Sequence, residues 1–365
     1  MRIAQVAPLF ESVPPKLYGG TQRVVHWLTE ELVAQGHEVT LFASGDSITS
    51  ARLVAACPRA LRLDKECRDQ LAHHIIMLDQ VMSHRHEFDL VHFHLDYLQY
   101  PLSRALATPQ VTTLHGRLDL PDLVPLHRRF RNMPVISISD AQRAPLPWLN
   151  WQGTVHHGMP TGQYEFHASA GKYLAFLGRT SPEKGLEQAI AIAKLAGIPL
   201  KIAAKVDPAD AVYFREEIEP LLSHPLVEFI GEIGESQKNE FLGNALALLF
   251  PICWPEPFGL VMMEAMACGT PVVAFARGSV PEVMTDGISG YVVGNAPAAA
   301  SALHHVESFD RARCRRYFER HFTSTRMAQE YVTIYKRLAH GDDENYAVAE
   351  EVLSWSKLTS RSSTT

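Results

Sequence analysis

Cysteine is scarce. Only Cys57, Cys67, Cys253, Cys268 and Cys314 occur in 365 residues, without paired spacing. That pattern excludes a disulfide framework and a zinc ribbon, and the thiols are expected to be reduced, as in a cytosolic protein. No window offers the ~20 consecutive apolar residues that a membrane-spanning helix needs. The opening Met1-Arg-Ile-Ala-Gln-Val-Ala reads as a first strand and lacks the apolar core and cleavage site of a leader. The expectation is a cytosolic protein, or one lying peripherally on the cytosolic face of a membrane. Charge of one sign is also lacking: 34 Lys and Arg oppose 40 Asp and Glu, for a net charge of −6. This balance argues against a general nucleic-acid binder. A G-x-G-x-x-G fingerprint is absent, which weakens a dinucleotide reading. Asp-x-Asp is absent too. The paired histidines His73-His74, His156-His157 and His304-His305, and the alternating His92 and His94, have no Cys, Asp or Glu at zinc spacing. For His92 and His94 a packing or acceptor-side role is expected.

What is present is ordinary globular sequence, 46% apolar and 20% charged, long enough for two domains. Arg2 to Pro8 reads as a strand, Phe10 to Gly20 as a Pro- and Gly-rich loop, and Thr21 to Gln35 as an amphipathic helix. Val24, Val25, Leu28 and Leu32 share one face of that helix, and Glu38 to Ala43 follows as a strand. This is a βαβ unit with a parallel sheet and a right-handed crossover. Gly19-Gly20 sits where backbone amides can approach an oxyanion without a Cβ in the way. Further strands are expected at Asp89–Phe93, Gln110–Leu114 and Val135–Ile138. His94, His115 and Ser139-Asp140 stand at their carboxyl ends, where such sheets gather ligands. Lys16 is an acceptor-side candidate, and the basic run His127-Arg-Arg-Phe-Arg131 reads as solvated surface rather than a lipid contact.

The second half repeats the logic. A polar linker, Thr161 to Gly171, precedes a strand from Lys172, and Gly178-Arg-Thr-Ser-Pro-Glu-Lys-Gly185 opens a helix with Arg179 and Lys184 flanking the turn. Fixed cations there would stabilise charge appearing on a departing phosphate. Strands are expected at Leu200–Ala204, Val227–Ile230 and Leu246–Phe250. The stretch Trp254-Pro-Glu-Pro-Phe-Gly-Leu-Val-Met-Met-Glu-Ala-Met-Ala-Cys-Gly-Thr-Pro-Val-Val reads as loop, helix and strand. Its helix is expected from Phe258 to Ala267, with an apolar stripe of Leu260, Met263, Met266 and Ala267. Gly269 is placed for a left-handed cap. Glu256 lies at the helix mouth and Glu264 two turns further in. An amide-rich mouth beside a carboxylate suits a ligand bearing both phosphates and hydroxyls.

Glu256-x7-Glu264 in this context, together with Gly-Arg-x-x-x-Glu-Lys-Gly, resembles the signature of glycosyltransferase family 4, the retaining group 1 enzymes of GT-B fold. The resemblance runs to about residue 340. It implies an α/β chain of two Rossmann-like, doubly wound parallel-sheet domains facing a cleft. Residues 1–163 would form the acceptor side and 164–321 the donor side. A helix at about 322–340 would return to the first domain, and 341–365 would be a disordered tail. It implies transfer of a hexose from a UDP- or GDP-sugar to a hydroxyl of a glycan, lipid-linked or small-molecule acceptor, independent of metal and without a cofactor. Arg179 and Lys184 would neutralise the diphosphate, with Gly19, Gly20 and Gly178 against it. Glu256 would accept the sugar's hydroxyls beside Pro257, Phe258, Gly259 and Leu260, and Glu264 would hold the ribose. His115 would face the sugar, and Ile233 would contact the base through its backbone. Lys205 departs from the small residue of many relatives and is read as an extra phosphate or base contact. The loop Gly278–Glu282 would close over the donor. Two readings compete: a GT-B nucleotide-sugar epimerase, and a silent GT-B binding protein, which should have lost Arg179, Lys184 or Glu256.

Overall fold

A computed structural model of the chain describes residues 1–16, 19–104, 106–169 and 171–340. The tail expected at 341–365, and the end of the loop reaching Tyr18, lie outside the described residues. The first sheet contains β1 (Arg2–Val6), β2 (Glu38–Ser44), β3 (Arg52–Cys57), β4 (Leu90–Phe93), β5 (Gln110–Thr113), β6 (Val135–Ser137) and β7 (Trp151–Thr154). Their spatial order is β3-β2-β1-β4-β5-β6-β7, all parallel. The second contains β8 (Leu174–Arg179), β9 (Leu200–Lys205), β10 (Val227–Gly231), β11 (Ala247–Phe250), β12 (Val272–Phe275) and β13 (Gly290–Val293), in the order β10-β9-β8-β11-β12-β13. Every ladder in it is parallel as well. Buried parallel strands read as near-continuous apolar runs, and β11 (Ala-Leu-Leu-Phe) and β12 (Val-Val-Ala-Phe) are buried at every position.

Strand order reverses between β1 and β4 in one sheet and between β8 and β11 in the other. A crevice opens at such a reversal, beyond the carboxyl ends of the strands. The segments leaving β1, β4, β8 and β11 are therefore the ones positioned to form a site. The helices that matter here are α1 (Gly20–Ala34), α2 (Gln70–His84), α3 (Leu186–Ala196), α4 (Glu235–Gly243), α5 (Leu260–Ala267), α6 (Arg311–His321) and α7 (Ser324–His340).

The signature helix differs from its expected form. It starts at Leu260, because Gly259 at φ 82° is left-handed and stops Phe258 from joining. Met262 through Ala267 are all buried, so α5 is enclosed on every side and carries no single stripe. Gly269, at φ 81°, does take the left-handed form at its far end. Three strands escaped the sequence pattern. β3 is a half-exposed edge, β7 is a short Trp-Gln-Gly-Thr run, and β13 is short and emerges from a glycine-rich turn.

The linker expected at 161–171 is anchored at Tyr164. Tyr164 is buried, and its hydroxyl donates to Glu235 at 2.6 Å. The chain passes into the second domain near Met159 and comes back at Thr323, and these two residues form a bridge. From there α7 packs along α1 and reaches β4, with the Ser324 hydroxyl donating to Glu31 (2.8 Å) and Tyr331 and Tyr335 fully buried. No helix among the described residues is long and apolar enough to cross a membrane.

Candidate active site

The two crevices face each other across one cleft of about 500 Å³. Among the residues singled out above, it is lined by Gly19, Gly20, His115, Gly178, Arg179, Lys184, Lys205, Ile233, Glu256, Pro257, Phe258, Gly259, Leu260 and Glu264. Gly20 opens α1, which has no side-chain cap and no acidic residue in its first turn, so its amides are available to an anion. Leu260 approaches from α5 in the other domain, its Cδ1 3.3 Å from where a Cβ on Gly20 would stand.

On the donor side the charges are arranged in pairs. Glu256 is nearly buried, and its Oε2 accepts from Lys184 Nζ at 2.6 Å and from the Trp254 indole at 2.7 Å. Lys184 also lies over the Trp254 ring, 5.7 Å from its centre, and Arg117 of the first domain covers it at 5.2 Å. Arg179 donates to Glu183 at 2.8 Å and stands 3.3 Å from Asp210. Glu264, 3% exposed in its side chain, is held by Lys238 at 2.8 Å, and Lys238 also pairs with Glu235 at 3.3 Å. Arg23 on α1 pairs with the same Glu235 at 2.5 Å, which joins the two domains across the cleft. Cations and carboxylates thus alternate along this wall. It can receive a diphosphate near Arg179 and Lys184 and a diol near Glu264.

The opposite wall presents His115. Its Nε2 is hydrogen-bonded to His94 Nδ1 (2.9 Å), and its ring stacks on His157 at 5.4 Å and 18°. Burial pushes the His115 imidazole down to about 3, and holds His92, His94 and His157 well below the ordinary histidine value. This cluster is neutral at physiological pH.

Several contributors carried no local sequence signal. Arg23, Glu235 and Lys238 come together only when α1 and α4 face each other. Trp254 stood at the edge of the signature and could have been weighed for its indole donor. His94 lies behind His115, away from the cleft lining, and Lys16 pairs with Asp46 at 2.9 Å. His127 is buried, with its ring edge-on to Tyr100, so the basic run is surface only at Arg128, Arg129 and Arg131.

The loop Gly278–Glu282 does not line the cleft either. It supports the signature loop from behind, with the Ser279 amide donating to Glu256 O at 3.0 Å and its hydroxyl to Phe258 O at 2.8 Å. Its Glu282 crosses to the first domain. The carboxylate accepts from the amides of Asp140 and Ala141, both at 2.7 Å, and lies 3.2 Å from His156 Nε2. Burial alone would raise this carboxyl, but those three bonds outweigh it and hold it below the ordinary 4.5. A depressed carboxylate stabilises the fold above its unfolded pKa and loses that contribution as pH falls through its folded value. Glu282→Ala is therefore expected to cost about 1–3 kcal/mol at neutral pH. Thermal unfolding should show the gap from wild type shrinking in acid below pH 4.5; a gap independent of pH would contradict the assignment.

Among the described residues no group of three or more His, Cys, Asp or Glu is placed to hold a metal ion.

Two family models match the chain: "Glycosyl transferases group 1" over residues 165–316 and "Glycosyltransferase Family 4" over residues 18–145. The chain is 26% identical to a phosphatidyl-myo-inositol mannosyltransferase of Mycobacterium leprae, over 83% of this chain and 86% of that one. A shorter match, 34% identical over 37% of this chain, is to a D-inositol 3-phosphate glycosyltransferase of Mycolicibacterium smegmatis and covers 30% of it. Among solved structures, AviGT4, a glycosyltransferase of avilamycin A biosynthesis, superposes with a TM-score of 0.71 at 25% identity, covering 93% of this chain and 98% of that one. Anabaena HepE, solved with UDP and glucose, superposes at 0.69 and 19% identity over 93% of this chain and all of its own.

Proposed function

The chain belongs to the family 4, group 1 glycosyltransferases and is a hexosyltransferase of GT-B fold, and from that premise we propose that it moves a hexose from a nucleoside diphosphate sugar to a hydroxyl acceptor with retention of configuration. The observation that carries this reading is the Lys184–Glu256 pair. A cation for the leaving group and a carboxylate for sugar hydroxyls stand 2.6 Å apart at the mouth of α5. The bond between the anomeric carbon and the diphosphate oxygen breaks, and its electron pair goes to the diphosphate. Arg179, Lys184 and the amides at Gly20 bind that charge more tightly than the ground state. The acceptor oxygen bonds to the anomeric carbon on the face the diphosphate leaves, and its proton passes to a departing phosphate oxygen. No carboxylate serves as nucleophile. Glu256 Oε2 is occupied by Lys184 and Trp254, which suits an electrostatic role opposite positive charge on the ring. Closing the two walls excludes water from this step. On this reading the reaction is expected to need no metal or cofactor and to run in the cytosol or peripherally on the cytosolic face of a membrane, with a glycan, glycolipid or small glycoside as acceptor.

The test is release of nucleoside diphosphate from a panel of UDP-, GDP- and ADP-sugars, with and without EDTA and with an acceptor mixture. Turnover of one donor, insensitive to the chelator, is expected. Glu264→Ala should then raise the donor KM, and Glu256→Ala should lower kcat by about 10²-fold or more. Near-wild-type kinetics in both variants, or no turnover of any donor, would overturn the reading.

A further inference from the structure

Behind His115 a line of hydrogen bonds runs from the cleft to α7, and its direction can be worked out. Tyr335 Oη lies 2.6 Å from His92 Nδ1. Gln5 sets the direction: its amide nitrogen donates to the same Tyr335 oxygen at 3.2 Å. The amide oxygen of Gln5 then faces His94 Nε2 at 2.8 Å and accepts from it. With its proton on Nε2, neutral His94 has a bare Nδ1, and the contact at 2.9 Å requires His115 to donate from Nε2. On the other branch His92 Nε2 lies 2.7 Å from Thr113 Oγ1, and that hydroxyl lies 3.0 Å from the Tyr331 hydroxyl.

We propose that Gln5 and His94 are positioning residues that lock His115 as its Nε2–H tautomer, so that Nδ1 offers a lone pair to a hydroxyl of the transferred sugar and His115 acts as an acceptor, never as an acid. The proposal rests on the hexosyl-transfer reading for the identity of that hydroxyl, though the tautomer itself does not. His157, stacked on His115 and packed edge-on to Phe258 of the other domain at 4.7 Å between ring centres, holds the ring's plane. Burial keeps the whole line neutral, so its direction survives across physiological pH.

Histidine-selective ¹⁵N labelling of the full chain, with rings assigned by His94→Gln and His115→Gln, reads the tautomer directly from the paired ring-nitrogen shifts. Nε2–H rings at both positions, unchanged from pH 5.5 to 8, are expected. An Nδ1–H ring at His115, or a ring that titrates in this range, would overturn the proposal. The kinetic arm compares Gln5→Met with Gln5→Glu. Glutamate can still accept from His94 in either protonation state, whereas methionine cannot. Orienting partners of a functional histidine are worth about 10–100-fold, so Gln5→Met should lose that much kcat with little change in donor KM, and Gln5→Glu should recover most of it. Equal losses in the two variants would indicate packing alone and sink the positioning role. Should no donor be turned over, the hexosyl-transfer reading fails while the shifts still decide the tautomer. Should turnover be found beside a titrating His115, this inference fails by itself.

Discussion

Lys184→Ala is expected to lower kcat/KM for the active donor about 10³-fold, the scale of removing one group aimed at developing negative charge. Two losses combine at this position. The first is the cation that meets the departing diphosphate, an interaction stronger in the transition state than with bound substrate, so the loss should fall mainly on kcat. The second is local. Lys184 is one of two described donors to Glu256 Oε2, and without it the nearly buried carboxylate keeps, among its described bonds, the Trp254 indole. A buried charge that loses its partner is costly to keep in place, so the carboxylate is no longer held opposite the sugar ring. The two losses share one group, so Lys184→Ala combined with Glu256→Ala should cost far less than the product of the single effects. Steady-state release of nucleoside diphosphate, with donor affinity measured separately by calorimetry, checks the prediction. A loss below tenfold, or one confined to KM, would mean that Lys184 binds the ground state and takes no part in bond breaking.

The parts of the site that were legible in sequence are those whose physics is local. A parallel strand buried on both faces reads as an apolar run, and Gly19-Gly20 stands at the start of a helix, where an oxyanion can be met by amides, while Gly178 stands near the end of a strand. The alternation of β and α units places Arg179, Lys184, Glu256 and His115 beyond strand ends, and it was the family resemblance that set them on one cleft between two domains. Arg23–Glu235 was not legible, because it depends on how two domains face each other, and nothing in the sequence around either residue encodes that. The His92–Gln5–His94 line was invisible for a similar reason. Adjacent strands bring its members together across β1, β4 and β5, and Tyr335 arrives from α7. The wrong boundary for α5 had a different cause: helix propensity favoured Phe258, while the left-handed backbone of Gly259 set the start. Likewise Tyr164 sat in a polar stretch with no apolar period, yet its hydroxyl has a carboxylate to meet and its ring is buried.

Arg311→Met should produce the largest stability loss of any single change considered, about 3–4 kcal/mol, without touching the cleft. Arg311 is 4% exposed, and burial lowers its guanidinium below the ordinary arginine value. It has no carboxylate partner among its described bonds. Its Nε donates to His167 O at 2.7 Å, Nη1 to Ala245 O at 2.9 Å, and Nη2 to Gly243 O and Thr270 Oγ1, each at 2.7 Å. These acceptors belong to the segment entering the second domain, to the end of α4 and the turn after it, and to the turn before β12. One planar fork therefore ties three chain segments to α6, and methionine fills part of the volume but can give none of the bonds. Two buried carbonyls and one part-buried carbonyl would lose their donor, while the Thr270 hydroxyl keeps its bond to Leu242 O, and each buried group left unpaired costs about 1–3 kcal/mol. Relaxation of the surrounding loops recovers part of the sum, which sets the smaller total. At roughly 2–4 °C per kcal/mol for a domain of this size, the Tm should fall by about 6–16 °C. Arg311→Lys should restore little, because a single ammonium cannot reach three separated carbonyls with the geometry of the fork. Differential scanning calorimetry on the full chain gives the answer, with donor KM as the control: a drop of less than about 3 °C would show that these carbonyls have other partners within reach.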